Sequence, residues 1–399
     1  MMSRHILIVV ENLSVPFDRR VWQESLALVG AGYRVSVICP IGTGYDTERE
    51  THLDGVQIFR YPLKVASGGL LGYSREYFVA LWKSLWLAFK IRRRGPVDVV
   101  HVCNPPDLLF LVALALRPFG AKCVFDHHDL VPELYLSRFR QPRHFLYRVL
   151  LLAERLTMRV ADGVISTNDS YRNLAITRGS MKPECVAVVR SAPDLNRFTA
   201  RGPDNDLRRG KRFLLAYVGV MGPQDGVDYA LRALQCLRDT LGRGDFHCIL
   251  MGAGDAFLDA QNLARDLGIQ DLVEFTGRVP DEFLQRCLST ADVCLSPDPF
   301  NPLNDLSTMN KVMEYMAMSR PIVSFDLKEA RESAGGAAVF VPPNDVLAFA
   351  EAIDQLLADP ERRQAMGQIG RQRVEQRLSW EFSQGNLISF YSKLLNPDT

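Results

Sequence analysis

Residues 5–39 read HILIVVENLSVPFDRRVWQESLALVGAGYRVSVIC. An unbroken apolar run from His5 to Val10 gives way to a helical pattern from about Arg20 to Ala31, and a second apolar run follows from Arg34 to Cys39. A strand covered by helices on both faces is continuously apolar, whereas a strand with one wet face alternates. These runs are continuous. They predict parallel strands joined by a crossover helix, the opening of a doubly wound α/β sheet.

The same grammar extends in both directions from that stretch. Val97 to Val102, a helix around Leu108 to Leu116, Ala121 to Phe125, a long helix near Arg143 to Val160 and Gly163 to Ser166 continue the first sheet. Arg197 to Lys211 is poor in apolar residues and carries Gly202, Pro203 and Gly210, the composition of a surface connection. Beyond it the alternation restarts: Phe213 to Val220, a helix Gly226 to Leu241, His247 to Met251, a helix Phe257 to Leu267, Val273 to Thr276, a helix Pro280 to Thr290 and Val293 to Ser296. Two α/β domains are therefore expected, 1–200 and 201–379, in keeping with 399 residues, too many for one ordinary core.

Bulk properties exclude several classes. With 47 basic against 46 acidic residues the net charge is +1, so no global field points to nucleic acid. Eight scattered cysteines without a CxxC pair read as reduced, mostly buried thiols in a cytoplasmic protein. No run of roughly 20 uncharged residues is available to cross a bilayer, and none reads as a cleavable leader, so a protein neither secreted nor integral is predicted. Residues 73–94, YSREYFVALWKSLWLAFKIRRR, interleave aromatic and basic residues at helical spacing. This suits a helix lying among anionic headgroups, or else a core helix whose basic last turn complements its dipole. Arg138 to Arg159 is open to the same two readings.

Ligands of open α/β sheets bind beyond the carboxyl ends of the strands, where glycine admits phosphate to the backbone. In the second half these ends read Gly219-Val-Met-Gly222 and Met251-Gly252-Ala-Gly254. One glycine-rich turn is a weak signal, and two in corresponding places are a stronger one. Ser296 to Asp326, SPDPFNPLNDLSTMNKVMEYMAMSRPIVSFD, is a polar loop feeding a helix through Ser307 or Thr308 as N-cap, then a buried strand. Asn310, Lys311 and Glu314 fall in its first turns, with Lys311 and Glu314 three apart on one face. A helix N-terminus beside a lysine suits a diphosphate, and a carboxylate one turn deeper suits a ribose diol. The bland alternative is a surface ion pair, which the apolar Met313, Met316 and Ile322 make less apt.

At this point the residues carry a resemblance that spans the chain. MEYMAMSRPIVSFD resembles the second half of the donor motif of family-4 glycosyltransferases, with Glu314 matching the second glutamate of its Glu-x7-Glu pattern. VENLSVPFDRRVWQESLALVGAGYRVSVICP resembles the family's first βαβ element; VDVVHVCNP and VFDHHDLVPE resemble its acceptor-side strand ends. VGVMGPQDGVDYALRAL, LMGAGD, FTGRV and ADVCLSP follow its donor domain in order, and RLSWEFSQGNLISFYSKLL resembles its C-terminal helix. The resemblance implies a GT-B fold: two Rossmann-like domains facing across a cleft, the first binding acceptor, the second the nucleotide-sugar donor, with 380–399 crossing back to the first. Two departures stand out. Leu306, beside Asp305, takes the place of the motif's first glutamate, and Asp225-Gly226 the place of the usual Lys-Gly.

The resemblance implies a retaining transferase moving a sugar from a nucleotide-diphosphate sugar to a lipid-linked or oligosaccharide acceptor, of the subgroup associated with surface-polysaccharide and amino-sugar transfer. Lys311, the N-termini at Gly222 and Ser307, and in second place Arg278 and Arg190, would face the diphosphate; Glu314 would hold the ribose. No metal or permanently bound cofactor is expected, since the one Asp-x-Asp spacing, Asp204-Asn-Asp206, lies in the polar connection. His128, at a strand end beside Asp129, matches the family's active-site histidine. His101 and Asn104 close the neighbouring strand. Phe17, Asp18 and Arg19 could meet an acceptor, or simply start a helix with Asp18 as its cap. A non-catalytic sugar-nucleotide-binding subunit and a sugar-nucleotide epimerase of the same fold remain open. An oxidoreductase fits less well, because no GxGxxG follows the first strand.

Overall fold

The computed structural model describes residues 3–42, 46–64, 70–139 and 141–396, less the side chains of Leu70, Leu71 and Tyr73. Contacts divide the chain into two compact units, one of 1–136, 141–191 and 383–399, the other of 137–140 and 192–382.

The first unit is an eight-stranded sheet. Its strands are β1 (His5–Val9), β2 (Arg34–Pro40), β3 (Glu50–Leu53), β4 (Val56–Tyr61), β5 (Val99–Cys103), β6 (Lys122–His127), β7 (Gly163–Ser166) and β8 (Val186–Val188), in the order β3-β4-β2-β1-β5-β6-β7-β8. Every pairing is parallel except β3 with β4. Helices α1 (Arg19–Gly30), α2 (Leu70–Arg94), α3 (Phe110–Leu116), α4 (Val131–Arg138), α5 (His144–Val160) and α6 (Asp169–Thr177) form the crossovers. β1 and β5 are buried along their whole length, which is why their sequences are apolar except at His5 and His101.

The second unit holds six parallel strands, β9 (Phe213–Val218), β10 (Phe246–Met251), β11 (Val273–Gly277), β12 (Val293–Ser296), β13 (Ile322–Phe325) and β14 (Ala338–Val341), ordered β11-β10-β9-β12-β13-β14. The helices are α7 (Val227–Asp239), α8 (Phe257–Asp266), α9 (Asp281–Thr290), α10 (Asn310–Ala317), α11 (Lys328–Ala334), α12 (Val346–Ala358), α13 (Pro360–Arg373) and α14 (Trp380–Leu395). From Ser383 onward α14 belongs to the first unit. The Tyr391 hydroxyl lies 2.7 Å from His101 Nδ1, and Asn386 donates to the Val188 carbonyl at 3.0 Å.

The segment expected to be a surface connection, Arg197 to Lys211, is part of the second unit, and the division falls earlier, between Ser191 and Ala192. Several of its charges pair with α9 and with Asp292, just before β12. Arg201 pairs with Glu282, Asp204 with Arg286, and Arg208 with Asp292, while Phe198 is buried beside Leu284 and Leu288. The eight cysteines are free and six are buried, so burial pushes the Cys39, Cys123 and Cys287 thiols up to about 12 and leaves them unreactive.

Candidate functional site

Beyond the carboxyl ends of the second sheet, three loops are sewn together by backbone hydrogen bonds that continue the strand ladders. Gly219 N–H donates to Met251, Met221 N–H to Ala253 and Gly252 N–H to Gly277, at 2.9–3.1 Å. The chains run so close that a Cβ on Gly252, whose φ is +146°, would lie 1.8 Å from the Gly219 carbonyl oxygen. A Cβ on Gly226, at φ +71°, would lie 2.0 Å from the Pro297 carbonyl oxygen. Glycine is required there by both backbone angle and space. Gly252→Ala is expected to cost about 2–3 kcal/mol, read as a drop of roughly 4–12 °C in Tm by calorimetry. An unchanged Tm would show that the loops yield freely.

α10 is pinned to this end of the sheet by Tyr315, whose fully buried hydroxyl accepts from Val218 N–H at 2.9 Å and donates to the Leu295 carbonyl at 3.1 Å. One turn earlier, Lys311 lies beneath the loops. Its ammonium is 2.6 Å from Asp298 and 5.0 Å from the centre of the Tyr217 ring. Burial, the largest single influence, would lower the Lys311 pKa, but Asp298, Tyr217 and Asp225 together outweigh it and hold the ammonium charged. Asp298 is itself fixed by a 2.8 Å hydrogen bond from Ser296. Within 311–318 every residue is buried except Glu314, whose partly exposed carboxylate marks where this helix meets the surface. Burial raises Asp225 to about 6, with Lys311 opposing.

Two expectations change here. α10 begins at Asn310 with Met309 as its cap, not Ser307 or Thr308, because Leu306 and Ser307 fold their N–H groups back on the Leu303 and Asn304 carbonyls in a preceding turn. The Gly222 N–H is taken by Asp225 at 2.8 Å, and α7 starts after Gly226. Arg190 lies in the first unit, 3.0 Å from Asp169. Gly254 sits in the loop after β10, and Arg278, exposed, follows β11 directly. Asp305, beside Leu306, accepts from Lys328 N–H at 2.9 Å, which commits its carboxylate to the start of α11.

In the first unit the strand ends carry a buried network. Arg20 on α1 grips Asp126 at the end of β6 with two bonds, 2.7 and 3.1 Å, and donates to the Val189 carbonyl at 2.8 Å. Glu24 lies 3.1 Å from the same guanidinium. Burial pushes Asp126 up, but Arg20, His128 and His101 outweigh it and hold its carboxyl well below the usual range. Glu24 goes the other way: burial dominates, Asp126 reinforces it, and its carboxyl is raised well above the usual range. His128 reaches Asp126 at 2.5 Å and its side chain is 15 % exposed. The neighbouring His101 is wholly buried between Tyr391 and Asp126. Asn104 accepts from the His128 and Asp129 N–H groups at 2.7 and 3.1 Å and so shapes the loop that presents His128. Burial raises Asp129, with His128 and His127 opposing.

Asp18 caps α1, accepting from Val21 N–H at 3.1 Å, while Phe17 and Arg19 stand exposed on either side. Among the described residues one set of potential metal ligands, His101, Cys103 and Asp126, lies within 4.8 Å. The Arg20 guanidinium already occupies both Asp126 oxygens, so these residues do not fit a cation. The sequence did not single out Arg20, Glu24, Asp126 or Asp298. The i, i+4 spacing of Arg20 and Glu24 on a helix against the sheet was the available signal.

Residues 212–359 match the family described as Glycosyl transferases group 1, and residues 18–192 match the Glycosyl transferase 4-like domain. The chain is 23% identical to the 2-deoxystreptamine glucosyltransferase of Streptomyces kanamyceticus over 95% of its length and 99% of that protein's. It is 26% identical to the alpha-D-kanosaminyltransferase of the same organism, over 86% of this chain and 90% of that one. Sucrose-phosphate synthase from Thermosynechococcus elongatus superposes with a TM-score of 0.80 at 20% identity, covering 99% and 100% of the two chains. Anabaena HepE in complex with UDP-glucose gives 0.73 at 17%, covering 98% and 99%. At such identities the solved structures speak for the fold alone. With both halves matched in order and the two parallel sheets matched in space, the chain belongs to the family-4 glycosyltransferases of the GT-B fold.

Proposed function

We propose that the protein transfers a sugar from a nucleoside-diphosphate sugar, bound at the strand ends of the second unit, to a saccharide carried on a lipid. The observation that carries the donor half is Lys311: a charged ammonium held by Asp298 under glycine-tight loops, on a helix whose next turn presents Glu314. Breaking the glycosidic bond leaves charge on the diphosphate, and a fixed cation stabilises it without reorganising. Glu314 would accept hydrogen bonds from the ribose diol, and Arg278, at the edge of the same sheet end, would add charge. His128, oriented by Asp126 and Asn104, would meet the acceptor side, as would Asp18, Arg19 and Phe17 at the start of α1.

Retention of anomeric configuration and catalysis without a bound metal complete the reading. UDP-glucose is the ligand named for the Anabaena relative, and uridine is accordingly the first base to try. The test is calorimetric titration with UDP, GDP, TDP and ADP in EDTA. One diphosphate should bind, and Glu314→Ala should weaken it about tenfold or more, a loss of about 1.4 kcal/mol in line with hydrogen bonds to a charged group. Binding of none, or affinity indifferent to Glu314, would overturn the assignment.

A further inference from the structure

On one side of the first sheet α2 packs against α3 and α3 against α5, and each helix buries one stripe while showing another to solvent. Along α2 the buried stripe is Ala80, Ser84, Leu87, Ala88 and Ile91, and the opposite side exposes Phe78, Trp82 and Trp86 at 68, 64 and 59 %. Along α5 the buried residues are Glu154, Thr157 and Met158, and the side facing away from the sheet exposes Phe145, Val149, Leu152 and Leu156. Those four are spaced four, three and four apart, a single helical face. Between the two helices α3 exposes Leu114, and Phe119 follows it. A shallow cavity of about 620 Å³ runs beside α2 between Trp82, Trp86, Phe89 and Ala115. An apolar face pointed directly away from its own core has no role in packing that core.

The charge on these helices is mostly of one sign, although Lys90 and Arg94 are paired with Glu50 of β3. α2 carries Arg75, Lys83, Lys90, Arg92, Arg93 and Arg94 against Glu76 as its single acid. α5 carries Arg148, Arg155 and Arg159, and its single acid, Glu154, is buried against Arg178. Lys90 lies over the Trp86 ring at 5.5 Å, cation and aromatic together at the surface. Among the described residues no helix is long and apolar enough to cross a membrane.

We infer that α2, α3 and α5 form one docking face for an anionic lipid bilayer, their aromatic and leucine side chains entering at headgroup depth while the flanking arginines and lysines meet lipid phosphates. A second copy of the chain is the poorer occupant, because pairing this face with itself would set basic rim against basic rim. The inference deepens the lipid-linked acceptor reading and rests on it for its purpose, but its test needs no sugar nucleotide.

The whole protein is sedimented with vesicles of phosphatidylcholine alone and of phosphatidylcholine with phosphatidylglycerol. Binding to the anionic vesicles is expected to be at least tenfold stronger, to weaken with salt and to shift Trp82 and Trp86 emission to the blue. Trp82→Ser with Trp86→Ser, and separately Phe145→Ser with Leu152→Ser, should each lower binding tenfold or more while leaving circular dichroism and diphosphate affinity unchanged. These side chains are exposed, so folding should survive. Equal binding to both vesicle types, no binding, or an effect of the α2 pair without one of the α5 pair overturns the three-helix face. So does a dimer that these substitutions break. Vesicle binding without any nucleoside-diphosphate affinity would leave this face standing and sink the donor reading instead.

Discussion

Lys311→Met is expected to lower the melting temperature of the second unit by roughly 6–20 °C and sugar transfer by about 10²–10³-fold. The two effects have different origins and can be separated. Removing the ammonium strands Asp298, which is 1 % exposed and, among the described residues, keeps Ser296 as its one donor; an unpaired buried charge costs about 3–5 kcal/mol. Neutralising both partners removes that cost, so Lys311→Met with Asp298→Asn should regain most of the lost stability. On the proposed role of Lys311 it should not regain turnover, because no cation would then face the leaving diphosphate. Calorimetry and a transfer assay on the two variants and the wild type decide the matter. A stable double variant with full turnover would show that Lys311 holds the fold and nothing more.

The second large effect belongs to the first unit. Asp126→Asn should destabilise by about 3–5 kcal/mol, since it leaves the buried Arg20 guanidinium beside a Glu24 carboxyl that is raised towards its neutral form. The pH dependence carries a sign that identifies each acid. Asp126 is depressed in the fold, so its stabilisation is present above its ordinary value and is lost as pH falls below about 4. Glu24 is raised, so the native state holds a proton the unfolded chain releases, and stability declines as pH climbs above about 4.3. Urea unfolding from pH 3 to 8 should therefore show Asp126→Asn losing the acid limb and Glu24→Gln flattening the decline. Parallel curves for all three proteins would mean that these carboxyls titrate alike folded and unfolded.

Much of this architecture is legible in the chain because burial on two faces writes itself as continuous apolar runs; β1, β2, β9 and β12 lie within a residue or two of where those runs fall. The boundary at Ser191 was not legible, because charges that neutralise a neighbouring helix look the same in sequence as charges that face water. Arg201 and Arg208 are instances. The start of α10 was misplaced for a related reason: Ser307 has the chemistry of a cap, and only the preceding turn shows that its backbone is already committed. α2 and α5 illustrate a deeper limit. Helical spacing reveals two opposed stripes on each, but which stripe meets the sheet depends on neighbours distant in sequence. Lys311 could be singled out from its place on a helix after a strand end. Its buried partner Asp298 could not, because an aspartate in SPDP reads as an ordinary turn.

The placement of α14 bears on how the protein is made. Tyr391 supplies the hydroxyl beside His101, Phe390 packs against Gly163, and the Leu394 carbonyl accepts from Lys122, all in the first unit. On the ribosome, domains ordinarily fold in the order they emerge. Here the half synthesised first is missing a wall until residues 383–396 have left the exit tunnel, whereas the half synthesised second has all its strands by Val341. During synthesis the late half can close before the early one, and the early half waits with His101 and the end of β5 uncovered.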